Sequence, residues 1–217
     1  MLAQIVLFDG FDPLDVIAPF EVLSAGSDAL GGELEVRLVG IDATGPVVSG
    51  TRGLQLEASD ILRPEEPGFL IVPGASGPVE GDPDLVDTVP VLISRVGATS
   101  LPDAVRRAFA APSTVVATVC GGSLALAMAG LLEGRTAVTH RLGNDVLEAT
   151  GVNVVRARVV DDGNLVSSGG VTSGLDLALY LLERQYGPRI AHAVEELFEY
   201  ERRGTVWVAR GELPVPH

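Results

Sequence analysis

VVATVCGGSLALAMAGLL (115–132) changes character halfway. Val115 to Val119 is mostly β-branched, Gly121-Gly122 interrupts the run, and the residues from Ser123 onward are strong helix formers. The uncharged stretch containing it, Ala108 to Leu132, is long enough to cross a bilayer. The glycine break divides it instead into a buried strand, a tight turn and a buried helix. This places Cys120 at a strand–helix elbow, on the carboxyl edge where open parallel sheets bind ligands.

Outward from this elbow, apolar runs alternate with helical patterns, the signature of β-α-β units around a parallel sheet. AQIVLF (3–8), LEVRLVG (34–40), GFLIVPG (68–74), STVVATV (113–119) and TAVTH (136–140) read as strands. Helices are predicted over 15–25, 83–95, 102–110, from His140 to about Thr150, 174–186 and 188–203. Residues 45–59 read as a hairpin at the sheet edge, and a second hairpin turns across 161–164. The chain is expected to form one α/β domain over 1–217, a three-layer sandwich with helices on both faces. Residues from about 204 read as a loosely held tail.

The 217 residues carry 15 basic and 29 acidic side chains, for a net charge of −14, and every basic one is arginine. Without lysine there is no Schiff-base, pyridoxal-phosphate or P-loop chemistry. The negative charge disfavours nucleic acid as a partner. A single cysteine points to a reducing compartment, read as the cytoplasm. The start, MLAQIVLFDGFD, has no basic region and does not read as a signal peptide.

Cys120 is the candidate nucleophile. The start of the following helix is expected to lower its thiol pKa and supply backbone N–H donors. The alternative is a small buried hydrophobe, the usual fate of a free cysteine. Asp15, at the start of the first helix, is either a capping acid or a proton carrier for Cys120. Glu21 lies more than a turn further in. His140 follows Cys120 by the interval of one helix and one strand and reads as a supporting residue or a core histidine. His192 and His217 read as structural or solvated. No His/Cys cluster has metal-ligand spacing.

LFDGFDPLDVIAPFEVL (7–23), the VPG turn (72–74), TVCGGSLALAMAGLLEGRTAVTH (118–140) and RVVDDGNLVSSGGVTSGLDLAL (158–179) together resemble the ThiJ/PfpI superfamily, a branch of the class I glutamine amidotransferase-like fold. The resemblance runs from Gln4 to about Tyr200 and implies a flavodoxin-like sandwich, a homodimer and no metal or organic cofactor. Within the superfamily the chain is most similar to bacterial isonitrile hydratases. That likeness implies Cys120 as nucleophile, Asp15 of the Leu14-Asp15 pair as acid and base, and a small-molecule substrate. The amides of Gly74 and Gly121 are the candidate oxyanion donors, with Ala75 beside them.

Two departures stand out. Hydratases usually carry threonine after the cysteine, where this chain has Gly121, and residues 81–112 look like extra material near the site. The alternatives to isonitrile hydration are α-ketoaldehyde hydration on the same thiol, or a redox or ligand sensor. A transcription regulator is disfavoured because no helix-turn-helix or basic patch is recognisable.

Overall fold

The most apolar runs, around Ile5, Leu70 and Val116, become the middle of one sheet because they are buried on both faces. In the computed structural model, residues 1–82 and 85–212 are described. The strands are β1 (Leu2–Leu7), β2 (Glu35–Gly40), β3 (Gly45–Val48), β4 (Gln55–Ala58), β5 (Asp60–Ile61), β6 (Gly68–Val72), β7 (Thr114–Val119), β8 (Thr136–Ala137), β9 (Asn153–Val154), β10 (Val159–Asp161), β11 (Leu165–Ser168) and β12 (Trp207–Val208). The helices are α1 (Pro13–Ala29), α2 (Val89–Gly97), α3 (Leu101–Ala110), α4 (Gly122–Met128), α5 (Asn144–Ala149), α6 (Ser173–Tyr186) and α7 (Pro188–Phe198). Among the described residues, eight strands pair in the order β12-β10-β11-β7-β6-β1-β2-β5, parallel except at the β10–β11 hairpin. Leu2 pairs with Glu35 on one side and Gly68 on the other, and Gly68 pairs with Thr114, so β1, β6 and β7 end side by side.

α1, α6 and α7 pack together on one side, while α2, α3 and α4 form the second helical layer. This is the flavodoxin-like sandwich expected from the sequence. Every residue of β1 and β6 is buried. Side chains such as Ile5, Leu70 and Ile71 each contribute about 1.5–3 kcal/mol by leaving water. The polar exception in β1, Gln4, is satisfied by both backbone groups of Arg63, at 2.7 and 2.8 Å. α1 lies close on α6 because Gly26 has no side chain: a Cβ there would stand 2.5 Å from Leu182 Cδ2.

Several local expectations are corrected. The 45–59 hairpin forms its own two-stranded sheet, and β5 takes the edge position beside β2. TAVTH contributes only Thr136–Ala137, paired with β9 outside the main sheet, so Thr139-His140 is not at a main-sheet strand end. The helix expected over 83–95 starts at Val89, where Pro90 fits the first turn, and Pro83 and Asp84 lie outside the described residues. α7 stops at Phe198 because Glu199 adopts a left-handed conformation. Trp207–Val208 is not a loose tail: it pairs in parallel with β10, while 213–217 lie outside the described residues. The uncharged stretch from Ala108 divides among α3, β7 and α4, and among the described residues no helix is long and apolar enough to cross a membrane.

Candidate active site

The loops after β1 and β6 are sewn together over the sheet's carboxyl edge. Phe11 bridges Ala75, the Asp12 N–H donates to Gly74 O at 2.9 Å, and the Ser76 N–H donates to Gly10 O at 3.1 Å. Asp12, not Asp15, caps α1: its carboxylate accepts from the Leu14 N–H, and Pro13 opens the helix. Asp15, one turn in, is thereby released from capping and faces the interior with no exposed surface. Its Oδ2 accepts from the Gly74 N–H at 2.9 Å, while Oδ1 has no hydrogen-bond partner among the described residues. Burial pushes its pKa up to about 8, and the charge of Asp12 adds to the rise. The Gly74 N–H and the Cys120 thiol offset only part of this. Asp15 is therefore a neutral carboxylic acid near pH 7, with one oxygen free to donate. Glu21, by contrast, is exposed.

Cys120 follows β7 with φ +54°, a left-handed conformation costing a non-glycine residue about 1–3 kcal/mol unless the surroundings hold it. They do hold it. Its N–H donates to Gly169 O at 3.0 Å, and its carbonyl accepts from Thr139 Oγ at 2.6 Å. Gly122 lets α4 start against β6, since a Cβ there would stand 2.2 Å from Val72 O. The sulfur is met by the N–H groups of Val171 and Gly121, both favouring a thiolate. Burial opposes them first and the Asp15 charge second, and the thiol pKa is pushed up to about 12. This corrects the expectation of a lowered thiol pKa: the elbow helix spans only Gly122–Met128, and desolvation outweighs the amides around the sulfur.

The structure brings together Asp15, Gly74, Ala75, Cys120 and Gly121. Gly74 is not an oxyanion donor, because its N–H is committed to Asp15. Its lack of a side chain matters more: a Cβ there would stand 2.6 Å from Gly121 N and 2.9 Å from Asp15 Oδ2. The Ala75 N–H makes no hydrogen bond among the described residues and is a free donor beside Gly121 at the elbow. His140 does not join the acid–thiol pair. Its Nδ1 accepts from the Leu142 N–H at 3.3 Å, and its ring lies where a Cβ on Gly170 would be, one residue before Val171. His192 is exposed beside Glu195 and Glu196, and His217 lies outside the described residues.

Sequence reasoning missed Val171 and Ile93. Val171 adopts φ +33° despite its β-branch, and the preceding Gly169-Gly170 pair was the available signal. Of the Thr139-His140 pair, read from the sequence as a strand end of interest with His140 as the candidate, it is Thr139 that reaches Cys120, at its carbonyl. Ile93 sits in α2, and its Cδ1 would be 3.2 Å from a Cβ on Gly121. A cleft of about 1080 Å³ lies between α6, α7 and the segment after them. Its wall is filled by ion pairs such as Arg202 with Glu195, and it does not include Cys120. The perturbed acid–thiol pair outweighs cavity size in locating the chemistry.

A flavodoxin-like sandwich with a strained cysteine elbow and a buried acid against it defines a class of thiol-bearing α/β proteins. The DJ-1/PfpI family pattern matches residues 1–184, and the chain belongs to that family. It is similar to isonitrile hydratase of Pseudomonas putida, with 35% identity over 199 residues, covering 90% of this chain and 76% of that protein. The HTH-type transcriptional regulator GbdR of Pseudomonas aeruginosa is 37% identical over 87 residues, which is 39% of this chain and 23% of the regulator. A crystal structure of a ThiJ/PfpI family protein from Pseudomonas syringae shares the fold with a TM-score of 0.76 at 23% identity, covering 94% of this chain and 76% of that one.

Proposed function

We propose that the chain is an isonitrile hydratase, adding water to an isonitrile to give an N-substituted formamide with Cys120 as nucleophile and Asp15 as proton carrier. The observation that carries the reading is the buried Asp15 carboxyl, tied through Oδ2 to Gly74 and unpartnered at Oδ1, against the Cys120 thiol. An acid neutral near pH 7 suits a carbon that must gain a proton as it is attacked.

Asp15 gives its proton to the isonitrile carbon while the sulfur bonds to that carbon. The thiol proton passes to the carboxylate left behind, giving an S-linked thioimidate and a neutral Asp15. Water then adds to the thioimidate carbon: Asp15 donates to the nitrogen and takes a proton from the water. Collapse breaks the C–S bond, the hydroxyl proton returns to sulfur through Asp15, and the formamide leaves. The sum is one isonitrile plus one water. The N–H groups of Ala75 and Gly121 are the candidate donors to the oxygen of the tetrahedral adduct.

The test is formamide release by the wild type, Cys120→Ala and Asp15→Asn, with mass detection of the adduct on Cys120. Activity is expected to vanish in the first variant and fall by at least about a hundredfold in the second, in line with general acid–base contributions. Full turnover by Cys120→Ala overturns the scheme. A second reading, hydration of α-ketoaldehydes, is favoured by one feature: Gly121 supplies no hydroxyl next to the thiol. Parallel assays with an aryl isonitrile and methylglyoxal separate the two. A peroxide sensor fits less well, since peroxide attacks thiolates and this thiol is held protonated. The reading includes a homodimer in the cytoplasm, the dimer being checked by sedimentation.

A further inference from the structure

The two departures noted in the sequence meet at one point. α2, from the extra 81–112 segment, packs on α4, the helix that follows Cys120. Its buried face carries Leu92, Ile93 and Val96. Leu92 lies over the loop after β1, where a Cβ on Gly10 would be 2.6 Å from its Cδ2. Ile93, only 2% exposed, reaches the space above Gly121. A Cβ on Gly121 would stand 3.2 Å from Ile93 Cδ1, so a threonine there forces one of the two to yield. The same position also faces Gly74 Cα at 3.5 Å and Ala75 N at 3.8 Å. Backbone and Ile93 both crowd this position.

We propose that Ile93 is a specificity-determining residue, a hydrocarbon wall replacing the side chain at 121 and restricting the thiol to slim, apolar substrates. The proposal rests on the reading of Cys120 as the reacting thiol and narrows the substrate class to isonitriles with compact hydrocarbon substituents. Methyl groups over Gly121 offer no hydrogen bond, so a substrate bearing a polar group on that side loses its water contacts without replacement. Cys120 itself is only 8% exposed, which agrees with a narrow approach.

The experiment compares alkylation rates of Cys120 by iodoacetamide and by the bulkier N-phenylmaleimide in the wild type, Ile93→Ala and Ile93→Val. Alkylation reports access whether or not isonitriles are substrates, so its outcome is independent of the hydratase reading. Relative to the wild type, the ratio of the small reagent's rate to the large one's is expected to fall at least fivefold in Ile93→Ala. A smaller fall is expected in Ile93→Val, which removes only the contacting Cδ1 and keeps the fold if the alanine variant does not. A ratio unchanged in folded Ile93→Val and Ile93→Ala overturns the proposal. In turnover assays, kcat/KM for cyclohexyl isonitrile is expected to rise against methyl isonitrile in the same variants. Absence of turnover for both substrates in the wild type, with the alkylation ratio still shifted, overturns the hydratase reading and leaves the wall standing.

Discussion

Replacing Asp15 by asparagine is expected to stabilise the fold while removing activity, and the pH dependence of that gain is the informative quantity. The asparagine carbonyl can still accept from the Gly74 N–H, so the α1–β6 link survives. What changes is the proton. In the unfolded chain Asp15 ionises at its ordinary 3.8, whereas burial holds it to about 8 in the native state. An acid whose pKa is raised by folding binds more protons in the native state. Its contribution is therefore fully present below about pH 4 and is lost as pH rises toward 8. At 1.36 kcal/mol per unit, the native state is penalised by about 4 kcal/mol at pH 7 and by about 6 kcal/mol above pH 8, relative to its stability at low pH. Asparagine does not titrate. The stability advantage of Asp15→Asn over the wild type, taken from urea melts, should therefore grow by about 1.4 kcal/mol per pH unit between pH 5 and 8 and then level. A difference that does not vary with pH would show that Asp15 ionises normally in the folded protein and would remove the basis for its role as an acid.

The same titration predicts that kcat/KM is level below pH 8 and falls about tenfold per unit above it as the acid is lost; activity that rises through this range contradicts the mechanism. Gly74→Ala pushes a methyl against Gly121 N and Asp15 Oδ2, and is expected to cost about 1–3 kcal/mol in a denaturant melt together with most of the turnover. Gly170→Ala meets the His140 ring at 2.2 Å and should lower the melting midpoint by a similar energy, so an unchanged midpoint would mean that His140 moves freely. Asp176→Ala leaves Arg158 without its buried partner, and also removes the acceptor of the Tyr200 hydroxyl and the Arg203 N–H. A loss of about 1.5–3 kcal/mol is expected, because Arg158 is partly exposed and regains water, read as a fall in Tm, while alkylation of Cys120 stays unchanged.

The buried strands, the α/β alternation and the elbow were legible because each depends on neighbours in sequence: β-branched runs, glycine breaks and helix-forming runs act over a few residues. The region beyond Thr136 was less legible. TAVTH has the composition of a strand, but its partner is β9 and not the main sheet, a choice made by long-range packing. Trp207–Val208 likewise becomes a strand only because β10 leaves an edge for it.

For the site, the sequence by itself located the candidate groups: one thiol at an elbow and an acid at the start of the first helix. It could not determine their protonation, because a pKa depends on desolvation and on charges from remote segments. Only the tertiary structure buries Asp15 against Gly74 and closes the protein around Cys120, which raises both pKa values and reverses the direction expected for the thiol. Only the tertiary structure likewise sets Ile93, 27 residues before Cys120, over Gly121, so that two features far apart in the sequence meet beside the thiol-bearing elbow.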